Sequence, residues 1–239
     1  MRRLVAAVAL WLALAGAGQA ACRLALVLAL DISGSVNAEE YRQQVDGLAG
    51  ALEAPAVRQA FFAMPGATVD LAVFEWSGPG STRTLVEWTT VRDRAALDQV
   101  TRRLRGVQRV PGPPSTALGA AMLEGARRLS GRPACWRHVL DVSGDGKSNT
   151  GPRPHEVRTD PALADITING LVVGSETMRG TQVRDSETAE LSAYFNAWVI
   201  KGPDAFVEVA VEFTDYRAAM ERKLLRELQV LALGRLNDQ

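Results

Sequence analysis

Oxygen-bearing side chains stand at alternate positions in "DISGS", Asp31, Ser33 and Ser35, directly after an apolar run that ends at Leu30. Alternate residues of an extended segment share a face, so oxygens at i, i+2 and i+4 can converge on one point. Two further oxygen donors come from distant segments: Thr116, after the Pro/Gly-rich stretch "GVQRVPGPPST", and Asp145, in "DVSGDG". None of the five is a histidine or cysteine. Hard oxygen donors select Mg²⁺, with Mn²⁺ or Ca²⁺ as alternatives, and disfavour zinc and copper. Two carboxylates and three hydroxyls, with water between them, suit an open octahedral site. Hydroxyls do little to quench the ion's charge, so a free position attracts an incoming carboxylate. Such a cluster is better built to hold an acidic partner than to make a nucleophile.

Converging residues this far apart need a scaffold that brings distant segments to one edge. Residues 23–30 read as a central strand covered on both faces. Asn37 with Glu40 three positions on makes a capping box for a helix that runs to about Leu52. "TVDLAVFEW" (68–76) and "TRTLVEWTT" are two more strands, and the short "SGPGS" between them predicts a hairpin with an antiparallel edge strand. A polar helix is expected at 93–104 and another from Ala117 to Leu129. "RHVLDVS", "DITINGLVVG" and "AFVEVA" are the fourth, fifth and sixth strands. Helices are expected near 186–197 and 215–233, with Gly234 suited to a C-cap. The alternation predicts an α/β fold: a doubly wound, mostly parallel six-stranded sheet with one antiparallel edge strand and helices on both faces. Ligands of such sheets bind beyond the carboxyl ends of the strands, where Asp31 and Asp145 lie.

At these residues the chain resembles the von Willebrand factor A (VWA) domain. "DISGS" reads as that family's DxSxS motif, and "STALG" and "SGDG" are similar to its second and third metal loops, in the same order. The resemblance spans essentially residues 22–233. The wider pattern, with "FEWSG", "ITINGLVV" and "ERKLLREL", is similar to a group of secreted bacterial VWA proteins. It implies a metal-ion-dependent adhesion site made of Asp31, Ser33, Ser35, Thr116 and Asp145, whose ion is completed by a partner's Asp or Glu. The chain departs from the pattern in two places. Gly144 stands where the family has Thr or Ser before the aspartate, which bears on how Asp145 reaches the ion. Asp141 interrupts an apolar strand, as a residue behind the ligands or as a partner for nearby backbone.

Plainer roles compete for the same residues. Ser33, Ser35 and Asn37 are all suited to capping the first helix, and Ser115 or Thr116 to capping a later one. Asp145 sits in "GDGKSN", whose composition favours a turn. Glu75 and Trp76 end the second strand at the binding edge, either lining the site or packing. Of the two histidines, His138 opens a strand and His155 lies in a solvent-facing loop. "SETMRGTQVRDSE" leaves the fifth strand at the same edge, as a variable loop that selects a partner or as plain surface.

Residues 1–20 read as a secretory signal: Arg2 and Arg3, an apolar run from Leu4 to Ala15, and small residues before the expected cleavage site. Gln19 argues against lipidation at Cys22. Residues 21–239 then form a single domain, secreted or periplasmic, with no stable membrane insertion once the signal is removed. The chain carries 27 basic and 27 acidic residues, and two of the basic ones leave with the signal. With no basic tail or stripe, nucleic acid is not an expected partner. Cys22 and Cys135 each precede a strand. If those strands are parallel neighbours, the two lie within disulfide reach, and an oxidising compartment favours the bond. Two buried free thiols are the alternative. The sequence holds no GxSxG elbow, no Walker-type loop and no histidine placed as a general base, so no enzymatic activity is expected. A metal-dependent hydrolase and a metal-free scaffold are the alternatives to a cation-dependent protein-binding module.

Overall fold

The computed structural model describes residues 20–174 and 181–234, so the expected secretory signal lies outside the described residues except for Ala20. The chain runs β1 (Ala21–Asp31), α1 (Ala38–Glu53), α2 (Pro55–Phe61), β2 (Ala67–Trp76), β3 (Thr82–Val91), α3 (Arg94–Arg105) and α4 (Leu118–Leu129). It continues with β4 (His138–Gly144), α5 (Pro154–Val157), β5 (Ile166–Val173), α6 (Thr181–Trp198), β6 (Val207–Ala210) and α7 (Tyr216–Gly234). The six strands form one sheet in the order β3-β2-β1-β4-β5-β6. Only the β2–β3 pair is antiparallel, at the edge, as the short hairpin connection requires. This is the α/β fold of the sequence reading.

β1 shows why the sheet has helices on both sides. Its residues Leu24, Leu26, Leu28 and Leu30 belong to a core shared with α1, α2, α3 and α7, through Tyr41, Phe61, Leu97 and Leu224. The alternate residues Ala25, Val27 and Ala29 face a second core built with α4 and α6, through Met122 and Phe195. Each buried leucine removes enough apolar surface from water to contribute about 2 kcal/mol. A strand apolar on both faces has no other stable position than the middle of such a sandwich.

Several element boundaries differ from the sequence reading. α2 was not expected; Pro55 at its first turn starts it, and Val57, Ala60 and Phe61 bury its inner face. α6 begins at Thr181, so the last part of the expected variable loop is helical, and its residues 175–180 lie outside the described residues. Good helix formers there (Gln182, Arg184, Glu187) were outweighed in the reading by the loop-like Ser, Thr and Gly around them. α7 includes Gly234 as its last residue instead of ending before it.

Charged groups pin helices to the sheet from inside. Arg23, 1 % exposed, donates from its guanidinium to the carbonyls of Ala60, Phe61 and Leu228, tying β1 to α2 and α7. Lys223 of α7 is fully buried, 3.0 Å from the Asp141 carboxylate of β4 and 2.8 Å from Glu227. The amide nitrogen of Asn169, on β5, donates to Glu227 at 2.8 Å. Asp141 is therefore the counter-ion of a buried lysine. Cys22 and Cys135 form a disulfide with a Cα–Cα distance of 4.5 Å, at the end of the sheet opposite Asp31. Asp70 completes a cluster with the two sulfurs, but their mutual bond leaves no thiolate for a metal, and Asp70 pairs with Arg132.

Candidate metal centre

Asp31 closes β1 and Gly144 closes β4, the neighbouring parallel strand, so the loops that follow both strands leave the sheet at its carboxyl edge. The first loop is shaped by Asp31 itself, whose Oδ1 accepts from the Ser33 backbone N–H at 2.8 Å. That contact turns the chain and sets Ser33 Oγ 3.3 Å from Ser35 Oγ. Ser35 Oγ donates to Asp145 Oδ1 at 2.7 Å, across 110 positions of sequence. Four of the five candidate residues are thus drawn together.

The second loop is stitched to the other two by backbone. Gly34 N–H donates to the Pro114 carbonyl at 3.0 Å, and a Cβ at Gly34 would lie 2.8 Å from Pro114 Cβ. Glycine is needed there because the two loops approach each other this closely. Thr116 N–H donates to Asn149 Oδ1, and the Asn149 N–H returns to the Thr116 carbonyl, both at 2.9 Å. Thr116 is buried beside the cluster's loops, and its hydroxyl makes no hydrogen bond to the other four residues. Asn149, which ties the second loop to the third, escaped the sequence reading; its place in "GKSNT" gave no signal beyond a turn.

The capping roles that competed for these residues are taken by others. Asn37 Oδ1 alone accepts from Glu39 N and Glu40 N at the start of α1, and Glu40 completes the box. α4 has Ala117 at its N-cap position and no side-chain cap, so Thr116 does not cap it. Glu75 is held by Arg83 at 2.6 Å and by the Tyr41 hydroxyl at 2.9 Å, and Trp76 is packed in the core, 1 % exposed. His138 sits 2.9 Å from the Arg132 carbonyl, and His155, on α5, lies against the ring of Trp198.

The electrostatics of the cluster call for a cation. Asp31 is 1 % exposed, and its Oδ2 has no hydrogen-bond partner among the described residues. Burial, then the nearby Asp145 carboxylate, push its pKa up to about 8 against the pull of Ser33. Burial likewise raises Asp145, opposed by the Ser35 hydroxyl. Two desolvated carboxylates with a spare oxygen between them are costly unless a positive charge is shared. The donor set, all oxygen, fits a hard divalent ion. Gly144 has a reason of its own: a Cβ there would stand 3.3 Å from Asp31 Oδ2 and 3.4 Å from Phe195 Cζ. The smallest residue leaves room around the unpartnered oxygen, while the serine before it, Ser143, turns inward to Gln44 and Tyr216.

Comparison with solved structures shows the fold of VWA domains. The chain is 13 % identical to a von Willebrand factor type A protein from Catenulispora acidiphila, with a TM-score of 0.56 over 87 % of this chain and 43 % of that one. Proximal thread matrix protein 1 from the mussel byssus, with a zinc-occupied MIDAS motif, aligns at a TM-score of 0.55 and 16 % identity, over 88 % of this chain and 48 % of that one. The open conformation of the pilus adhesin SpaC from Lactobacillus rhamnosus GG aligns at 0.55 and 12 % identity, over 87 % of this chain and 30 % of that one. This chain thus spans half or less of the length of those three relatives. No curated protein matches its sequence. A family model described as "Protein of unknown function (DUF1194)" matches residues 21–232.

Proposed function

We propose that this chain, which belongs to the DUF1194 family, is an exported, cation-dependent protein-binding module of the VWA type. Asp31, Ser33, Ser35, Thr116 and Asp145 would hold Mg²⁺, or Mn²⁺ or Ca²⁺, directly or through water. When bound, the ion supplies Lewis acidity at an open position that an Asp or Glu of the partner completes. The residues of the chain position that ion: Asp31 and Asp145 provide the charge, Ser33 and Ser35 the neutral oxygens, and the Gly34–Pro114 and Thr116–Asn149 ties hold the loops together. One observation carries the reading: Ser35 brings the Asp145 carboxylate to a buried Asp31 whose second oxygen has no partner. The likeness to a pilus adhesin and to a matrix protein with a metal-occupied site supports protein binding as the use of that arrangement. Export rests on residues 1–20 and accords with the disulfide. Among the described residues no helix is long and apolar enough to cross a membrane.

Calorimetric titration with Mg²⁺ and Mn²⁺ tests the site. The wild type is expected to bind and Asp31→Ala to lose binding while remaining folded. An ion-independent wild type would leave a metal-free scaffold. Turnover of a phosphate or carboxylic ester by the wild type but not by Asp31→Ala would replace the binding module with a hydrolase.

A further inference from the structure

A groove beside the candidate metal edge carries more positive charge than the fold pairs: Arg83 is neutralised by Glu75, while Arg102 and Arg103 form no ion pair among the described residues. It lies between β3 and the end of α3, with a cavity volume of about 620 Å³, and Arg83, Arg102 and Arg103 line it with no acidic residue among its walls. Other arginines nearby are neutralised: Arg42 pairs with Asp46, Arg105 with Glu53, and Arg58 with Asp98. Arg102, by contrast, has no ion pair among the described residues. Arg103 donates from Nε to the Leu85 carbonyl, which anchors the side chain without neutralising it. Arg83 is fixed from three directions, by Glu75, the Gln108 carbonyl and the Tyr41 hydroxyl. Arginines in the last turn of a helix favour its dipole. That explains their presence in α3 but not their arrangement around a concave surface free of acids.

The sheet fixes where this groove stands relative to the proposed ion. Asp31 pairs with Trp76, and Trp76 with Thr82, the neighbour of Arg83. Two inter-strand steps place Arg83 about 10 Å from Asp31. We propose that the groove receives the acidic side chains of a polypeptide partner whose leading Asp or Glu sits on the ion. The inference rests on the metal-site reading for that leading residue, and on the arginines alone for the rest. An extended partner rises about 3.3 Å per residue, so an acid four positions along, on the same face, reaches the groove. Arginine forks grip carboxylates bidentately, which suits this occupant. Three arginines are too few to track a nucleic-acid backbone, whose binders neutralise about 6–10 phosphates.

The test uses a fluorescein-labelled oligoglutamate of about fifteen residues, followed by anisotropy in Mg²⁺ with the full mature chain. The wild type is expected to bind. Arg102→Glu with Arg103→Ala should weaken binding about tenfold or more, in line with charge-assisted bonds, and leave Mg²⁺ uptake unchanged by calorimetry. Arg94→Glu, at the other end of α3, serves as the charge control and should have no effect. Should the double variant unfold by circular dichroism, Arg102→Ala replaces it, with a smaller loss expected. The proposal is overturned if the wild type takes up Mg²⁺ but not the oligoglutamate, if the groove variant binds like the wild type, or if Arg94→Glu weakens binding equally. Tighter binding of a single-stranded DNA of similar length through the same arginines would also overturn it. Arginine-dependent oligoglutamate binding without Mg²⁺ uptake would support the groove and sink the metal reading instead.

Discussion

Replacing Lys223 by methionine removes the ammonium that pairs with two buried carboxylates while keeping most of the side chain's volume. Asp141 and Glu227 are each 1 % exposed, and Lys223 has no exposure at all. Burial pushes Asp141 up to about 7 from its ordinary 3.8 even with the ammonium 3.0 Å away. Burial by itself pulls the lysine down, but Asp141 and Glu227 together hold it above its ordinary value. Loss of one partner from a buried ion cluster costs about 3–5 kcal/mol. That is a large part of the ~5–15 kcal/mol that stabilises a typical domain. The sign of the pH dependence follows from the raised carboxyl. It binds its proton more tightly folded than unfolded, so it opposes folding as pH rises through the folded value and ceases to do so as pH falls. Each pKa unit by which losing Lys223 lifts Asp141 beyond about 7, up to the pH of the measurement, should return about 1.4 kcal/mol on acidification. Urea unfolding followed by tryptophan fluorescence at pH 8 and pH 5.5 measures both quantities. Lys223→Met should lose about 3–5 kcal/mol at the higher pH and recover part of it at the lower, and adding Asp141→Asn should recover part at both. A variant within about 1 kcal/mol of the wild type, with no pH dependence, would refute the reasoning.

Three other outcomes are expected. Gly144→Thr places a side chain against Asp31 Oδ2, and overpacking of about 1–3 kcal/mol should weaken Mg²⁺ binding about tenfold in calorimetry with little change of fold by circular dichroism. Replacing both Cys22 and Cys135 by serine opens a link of 113 residues and should lower unfolding stability by about 4 kcal/mol in denaturant titrations. Glu124 is held below its ordinary 4.5, first by its hydrogen bond from Arg127 and then by both arginines' charges against the cost of burial. A depressed carboxylate contributes stability above its unfolded pKa and loses it as pH falls through the folded one. Glu124→Gln should therefore be less stable by about 0.5–1 kcal/mol at neutral pH, and its unfolding curve should converge on the wild type's below pH ~4.

The strands were legible because each is a short run rich in apolar or β-branched residues, β1 so without alternation. The short hairpin told the direction of β3. The meeting of Asp31, Ser33, Ser35 and Asp145 was legible in part from residue type and spacing, since alternate oxygens share a face and Asn37 was available to cap the helix. The ties that align those loops could not be read. Gly34 against Pro114, and Thr116 against Asn149, are meetings of segments 33 to 80 positions apart with no periodicity to betray them. The buried charges were half visible. Asp141 stood out in an apolar strand, but Lys223 and Glu227 look in sequence like any exposed i, i+4 pair on a helix, and only packing against β4 turns them inward. The arginines of α3 read in sequence only as part of a polar helix, because the groove they line forms only once β3 packs beside it.

The stitching between loops has a consequence for what the site is able to lose. The contacts that align the second loop with the first and third run through main-chain groups, one asparagine and the Ser148 hydroxyl, and none uses an oxygen assigned to the ion. For the second loop, assembly and occupancy are therefore separable. A copy that exchanged Asp31 and Asp145 for neutral residues would keep the second loop fastened in place, yet lose the contact that bends the first loop and the one that joins it to the third.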